Sequence, residues 1–188
     1  VLRKHAITPP YLLYLSTLQP RKNLVRLIQA YAASGLPHQL VLAGKPGWLS
    51  DPILSEISNL QSPVSNKIIL TGFIDENDKA ALLSGATAVL YPSLYEGFGF
   101  PVLEAQACGT AVLTATTSSL PEVAGEAALL VDPLDTVAIT QGMQKLAQDE
   151  AYRQELVQRG FKNVKRFSWE ETAVQLLQTL EKMANHSN

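Results

Sequence analysis

Short, nearly continuous apolar runs alternate along the chain with longer stretches in which apolar residues recur every three or four positions. The runs cover residues 11–18, 39–44, 67–72, 88–91, 110–115 and 127–131. Apolar side chains at successive rather than alternate positions mark strands buried on both faces, as in a parallel sheet. Between the first two runs, Leu24, Leu27, Ile28 and Tyr31 share one stripe of a helix predicted over 23–34, which Gly35 and Pro37 end. Further helices are predicted over 51–60, from Asp75 through Ser84, in the short stretch from Pro101, from Asp135 to about Asp149, over 151–165, and from Ser168. The last begins with Ser168-x-x-Glu171, the form of a capping box.

Strand and helix alternate with short links. The pattern predicts an α/β fold: a doubly wound, mostly parallel six-stranded sheet of Rossmann-like type, with ligands at the carboxyl ends of the strands. Those ends carry Arg21-Lys22 after the first run, Gly44-Lys45 after the second, Gly72-Phe73-Ile74 after the third and Ser93 to Phe100 after the fourth. No repeat, low-complexity tract or second domain is visible.

Composition narrows the classes. Hydrophobic residues make up 46% of the 188 and charged residues 17%, so the chain is globular rather than disordered. A net charge of −2 argues against general nucleic-acid binding, which needs a basic face. The one cysteine, Cys108, cannot form an internal disulfide and is expected to be a buried thiol. No apolar run reaches the span of a bilayer, and no signal peptide is apparent. His5, His38 and His186 are isolated, and no metal-ligand cluster is visible. The chain starts at Val1 and residues 1–10 have no pattern. They are expected to be a linker from a missing N-terminal domain.

The densest chemistry lies between the fourth and fifth runs, in YEGFGFPVLEAQACGTAV. Seven residues separate Glu96 from Glu104. Gly97 and Gly99 allow positive φ and close approach of a ligand to the backbone. Pro101 suits the first helical position. The N–H groups of Val102, Leu103 and Glu104 are then expected to point outward at the positive end of a helix dipole, an anion site. Glu96 is expected on the near lip and Glu104 one turn in. Acids on both sides suit a ligand that carries hydroxyls around its phosphates. The spacing alone equally fits Glu104 as a dipole complement and Glu96 as a solvated loop residue.

The same residues carry a resemblance. Glu96 and Glu104 resemble the E-x7-E motif of retaining glycosyltransferases of family 4, which have the two-domain GT-B fold. Gln19-Pro20-Arg21-Lys22-Asn23, Leu70-Thr71-Gly72-Phe73-Ile74 and Phe167-Ser168-Trp169 resemble three further segments of that family, in the family's order. The resemblance implies the C-terminal, donor-binding half of such an enzyme. Residues 11–165 would form the nucleotide-sugar domain, and 166–188 a C-terminal helix packing back toward the missing domain.

It also implies roles. Arg21 and Lys22 would stabilise the departing diphosphate, and Glu96 would bind donor-hexose hydroxyls. The backbone of Gly97, Phe98, Gly99 and Phe100 would hold the sugar, that of Val102 and Leu103 the phosphates. Glu104 would bind the ribose, and Phe73 and Ile74 would frame the base. The phenyl rings of Phe98 and Phe100 either face the sugar or anchor the loop. Many family members have Gly-Arg where this chain has Ser16-Thr17, so Arg21 or Lys45 would supply that charge.

The implied partners are a UDP- or GDP-hexose donor, a saccharide or lipid-linked acceptor and the protein's own N-terminal domain. Neither cofactor nor metal is implied. The expected setting is the cytoplasm, at the inner face of the plasma membrane, in polysaccharide synthesis. The expected donor is UDP-glucose, with a GDP-mannose-dependent mannosyltransferase as the alternative. A nucleotide-sugar epimerase and a non-catalytic binding subunit are the readings of another class. A receiver module lacks its acids here, and a dinucleotide oxidoreductase its G-x-G-x-x-G.

Overall fold

The computed structural model describes residues 1–186, with side chains through residue 184. The His186 side chain and residues 187–188 of the expected C-terminal helix therefore lie outside the described residues.

The strands are β1 (Tyr11–Leu15), β2 (Gln39–Ala43), β3 (Ile68–Gly72), β4 (Ala88–Tyr91), β5 (Val112–Ala115) and β6 (Leu129–Val131). They form one sheet in the order β3-β2-β1-β4-β5-β6, and every neighbouring pair is parallel. The helices are α1 (Leu24–Ser34), α2 (Asp51–Asn59), α3 (Glu76–Gly85), α4 (Phe100–Ala107), α5 (Leu120–Ala124), α6 (Thr136–Gln148), α7 (Glu150–Asn163) and α8 (Trp169–His186). α1 packs against α2 and α6, and α4 packs against α3, α5 and α7. Helices thus cover both faces, which is why β1, β4 and β5 are buried at every position.

The strand order reverses between β1 and β4. In an open α/β sheet this is where a crevice opens at the carboxyl ends. The loops after β1 and β4 meet there.

Buried tyrosines need partners for their hydroxyls. Tyr11 donates to Leu82 O at 2.7 Å and Tyr31 to His38 O at 2.6 Å. Leu82 and its neighbour Leu83 are core. Asp75 caps α3 by accepting from Asn77 N at 2.9 Å, and Asp135 caps α6 by accepting from Val137 N at 2.9 Å.

Four local features differ from the sequence reading. β1 stops at Leu15; beyond it Leu18 N–H still reaches Lys45 O at 2.9 Å, so the chain runs on beside β2 without regular pairing. α5 was not legible, because five residues are too short for a helical period to show. α7 gives way at Val164 to a single 3₁₀ turn through Arg166. Ser168 forms only half of a capping box: Glu171 N–H donates to its Oγ at 3.2 Å, but the hydroxyl donates to Glu170.

Residues 1–10, expected to be a linker, lie against the domain. Ile7 is buried, and Lys4 Nζ and His5 Nε2 both contact Asp78 Oδ2, at 2.6 and 3.1 Å. α8 is exposed over its described side chains, including Val174, Leu176, Leu177 and Leu180. Among the described residues, no helix is long and apolar enough to cross a membrane.

Candidate functional site

After β1 the chain makes a 3₁₀ turn, Pro20–Lys22, and Asn23 takes a left-handed conformation at φ 62°. Asn23 Nδ2 then donates to Pro92 O at 3.0 Å and to Pro133 O at 2.6 Å, tying this turn to the end of β4. Leu94 N–H donates to Arg21 O at 2.9 Å.

These bonds bring Arg21, Lys22 and Glu96 together. Arg21 Nη1 donates to Glu96 Oε2 at 2.6 Å and Lys22 Nζ to Glu96 Oε1 at 2.7 Å. Lys22 also bonds the Tyr91 hydroxyl and lies 4.7 Å from that ring's centroid. Lys22 is 4% exposed and Glu96 8%. Glu96 is therefore not on an open lip: its carboxylate is the internal counter-ion of two cations, as a buried charge requires. Burial pushes the Glu96 carboxyl up, but the bonds from Lys22 and Arg21 outweigh it and hold the group below its ordinary value. For Lys22 burial prevails over Glu96 and lowers the ammonium pKa. Burial raises that of the Tyr91 phenol.

The glycine loop leads into α4 as expected, with Gly99 at φ 123° as the N-cap and Pro101 in the first turn. Two of the three N–H groups expected to be open are already engaged. Val102 N–H donates to Gly99 O at 3.0 Å, and Val102 is buried. Glu104, the fifth helical residue, already belongs to the intrahelical ladder. α4 starts at Phe100, one residue before Pro101, so the expected triplet sits deeper in the helix than the sequence suggests.

Glu104 bonds Lys79 Nζ, which also lies 3.5 Å from Glu76. Burial lowers the Lys79 pKa, but Glu104 and Glu76 together leave it raised. Lys79 escaped the sequence reading. The one available signal was its place in the first turn of a helix that follows Phe73-Ile74.

Beside this pair opens a cleft of about 280 Å³ between the ends of β1, β2 and β3. Its walls include Thr17, Lys45, Phe73, Ile74, Glu76 and Lys79. Lys45 Nζ stands 4.5 Å from the centroid of the exposed Phe73 ring. Gly44, at φ +151°, forms the floor, where a Cβ would lie 1.9 Å from Ser16 O. Phe73, Ile74 and Lys45 thus share one cleft, and Ser16-Thr17 is part of it.

Phe98 and Phe100 turn toward the C-terminal segment. Their centroids are 4.7 Å apart; Phe98 meets Phe167 edge-on at 5.8 Å, and Phe100 stacks on Trp169 at 6.0 Å. These contacts fit loop anchoring.

The geometry is that of a doubly wound sheet whose switch-point loops hold paired acids and bases. A sequence model of the family Glycosyl transferases group 1 matches residues 3–163. The chain belongs to this family. It is 36% identical over 182 residues to O-antigen chain mannosyltransferase B of Escherichia coli, covering 94% of this chain and 47% of that one. It is 30% identical over 190 residues to the GDP-mannose-dependent alpha-(1-6)-phosphatidylinositol dimannoside mannosyltransferase of Mycobacterium tuberculosis, covering 97% of this chain and 47% of that one. Among solved structures, sucrose-phosphate synthase from Thermosynechococcus elongatus superposes with a TM-score of 0.80 at 29% identity, over 94% of this chain and 46% of that one. The chain thus spans about half the length of these relatives. In this glycosyl transferases group 1 domain the resembled motifs fall in two clusters: Arg21, Lys22 and Glu96 at the β1–β4 switch point, and Phe73, Ile74 and Glu104 around the neighbouring cleft.

Proposed function

We propose that this chain is the donor-binding half of a mannosyltransferase that takes mannose from GDP-mannose and passes it to a saccharide or lipid-linked hydroxyl. The observation that carries the reading is the cleft bounded by Phe73, Lys45, Glu76 and Lys79. Guanine offers two adjacent donors, N1–H and the N2 amino group, to a single carboxylate. Uracil offers one N–H between two carbonyls, which a carboxylate repels. The Glu76 carboxylate is 86% exposed on the cleft rim, with only a 3.5 Å approach from Lys79. Phe73 gives the base a flat apolar face. The names of two relatives, a mannosyltransferase and a GDP-mannose-dependent mannosyltransferase, favour the same donor over the UDP-glucose expected from sequence.

In this reading Glu104, steadied by Lys79, accepts from the ribose hydroxyls, and the diphosphate lies along residues 97–100. Arg21, whose side chain is 41% exposed against 5% for Lys22, is the more open of the two cations and meets the diphosphate first. Charge grows on the diphosphate as the bond from the anomeric carbon to phosphate oxygen breaks. Arg21, Lys22 and the loop N–H groups stabilise that charge. The phosphate oxygen takes the proton of the acceptor hydroxyl, whose oxygen bonds the anomeric carbon on the same face, with retention. No step draws on a metal.

Calorimetric titration with GDP, UDP, GDP-mannose and UDP-glucose tests this. GDP should bind at least tenfold more tightly than UDP, and Glu76→Ala should bring the two within about threefold. Tighter binding of UDP, or an equal loss of both in Glu76→Ala, would overturn it.

A further inference from the structure

The turn over residues 116–119, between β5 and α5, has no role in the reading above. β5 lies beside β4, so this turn backs directly onto the loop that carries Glu96. Its hydroxyls bind that loop's backbone one after another. Thr117 Oγ1 donates toward Ser93 O and Leu94 O at 3.3 and 3.2 Å. Ser118 Oγ accepts from Glu96 N–H at 3.0 Å. Ser119 Oγ lies 3.0 Å from Glu96 O and 2.5 Å from Phe98 O. Ser118 makes its bond from φ 54°, a left-handed conformation unusual for a serine.

Glu96 is thereby held at every polar group. Its carboxylate meets Arg21 and Lys22, its N–H meets Ser118 and its carbonyl meets Ser119. The loop from Ser93 to Gly99 belongs to no helix or strand, so nothing in regular structure fixes it. A loop that must hold two cations at a reacting phosphate needs an outside support. The unusual backbone at Ser118 places that support, and such conformations persist where the surroundings over-determine them.

We propose that Ser118 and Ser119 are positioning residues: their hydroxyls fix the Glu96 backbone and, through it, the placement of Arg21 and Lys22. The catalytic consequence rests on the donor reading above. The cleft at Lys45, Phe73 and Lys79, which takes the base in that reading, is built from other loops and does not depend on this support; only the diphosphate reaches the supported loop.

The decisive variant is Ser118→Gly. Glycine adopts φ 54° without strain, so the fold should be as stable as before while the hydroxyl is gone. Hydrogen exchange of the Glu96 amide should rise at least tenfold in this variant. In the complete protein, kcat for mannosyl transfer should fall about tenfold, with the dissociation constant for guanosine, which lacks the diphosphate, changed less than twofold. Ser119→Ala should behave alike, and Ser119→Thr, which keeps the hydroxyl, should recover most of the loss. Unchanged exchange at Glu96, or unchanged kcat in Ser118→Gly, would overturn the proposal. So would parallel losses of guanosine affinity, kcat and melting temperature in both alanine and threonine variants, which mark a purely structural role. A wild-type protein that transfers no mannose defeats the donor reading instead, and the exchange measurement still decides whether the hydroxyls hold Glu96.

Discussion

Lys79 on α3 is hydrogen-bonded to Glu104 on α4, joining the rim of the cleft to the helix behind the glycine loop. Both side chains are partly open to solvent, at 22% and 33% exposure, so the pair adds little to stability. Exposed and half-exposed pairs contribute less than about 1 kcal/mol. Its value lies in aiming the Glu104 carboxylate. Lys79→Met should therefore lower GDP affinity roughly tenfold, about 1.4 kcal/mol, with the unfolding midpoint nearly unchanged. Paired calorimetry and urea denaturation check this. A loss of stability as large as the loss of affinity would contradict it.

Two glycines separate ligand approach from backbone need. Gly97 has open space around its missing Cβ and no left-handed φ, so Gly97→Ala should leave stability within about 0.5 kcal/mol. If residues 97–100 carry the donor, the same change should weaken GDP-mannose binding tenfold or more. Gly44→Ala is the opposite case. Its Cβ would enter the Ser16 carbonyl at a backbone conformation that side chains rarely adopt. It should cost more than about 3 kcal/mol, together with the cleft. Thermal melts of the two variants give the comparison.

Glu96→Gln should lower stability at neutral pH by about 3 kcal/mol, because it leaves buried Lys22 without its counter-ion. The pH dependence follows from the direction of the shift. The native carboxyl titrates below its ordinary value near 4.5, so its contribution is complete above that value. It disappears as pH falls through the native pKa. The gap between wild type and Glu96→Gln should be constant from pH 5 to 7 and close below pH 4 (roughly one unit either side of the carboxyl range). A gap that widens on acidification would refute this account. Urea melts of both proteins across that range supply the measurement.

The sheet was legible because its signal is local. YLLYL and AVLY are apolar at every position, and only burial on both faces explains that. The loops that meet at the carboxyl ends of the strands were legible for the same reason. What remained hidden depends on pairs far apart in the chain. Nothing at Lys79 announces Glu104, and nothing at Arg21 and Lys22 announces that Glu96 will be their counter-ion rather than a free lip residue. α4 begins one residue earlier than Pro101 suggests, which engages the Val102 and Glu104 N–H groups of the expected triplet. The turn over residues 116–119 reads as ordinary loop, since its importance comes only from the adjacency of β4 and β5.

The Arg21–Lys22–Glu96 cluster also bears on which anions the site refuses. A lone inorganic phosphate or sulfate that seeks these cations must compete with a carboxylate tethered in place. Even a flexible tether presents its group at millimolar effective concentration, and a fixed one presents it higher. Small anions at cellular concentrations are expected to lose that contest. In the donor reading, a molecule that brings its own base and ribose to the neighbouring cleft gains the additional hold needed to share these cations with Glu96, so the cluster would act as a filter on molecular size as well as on charge.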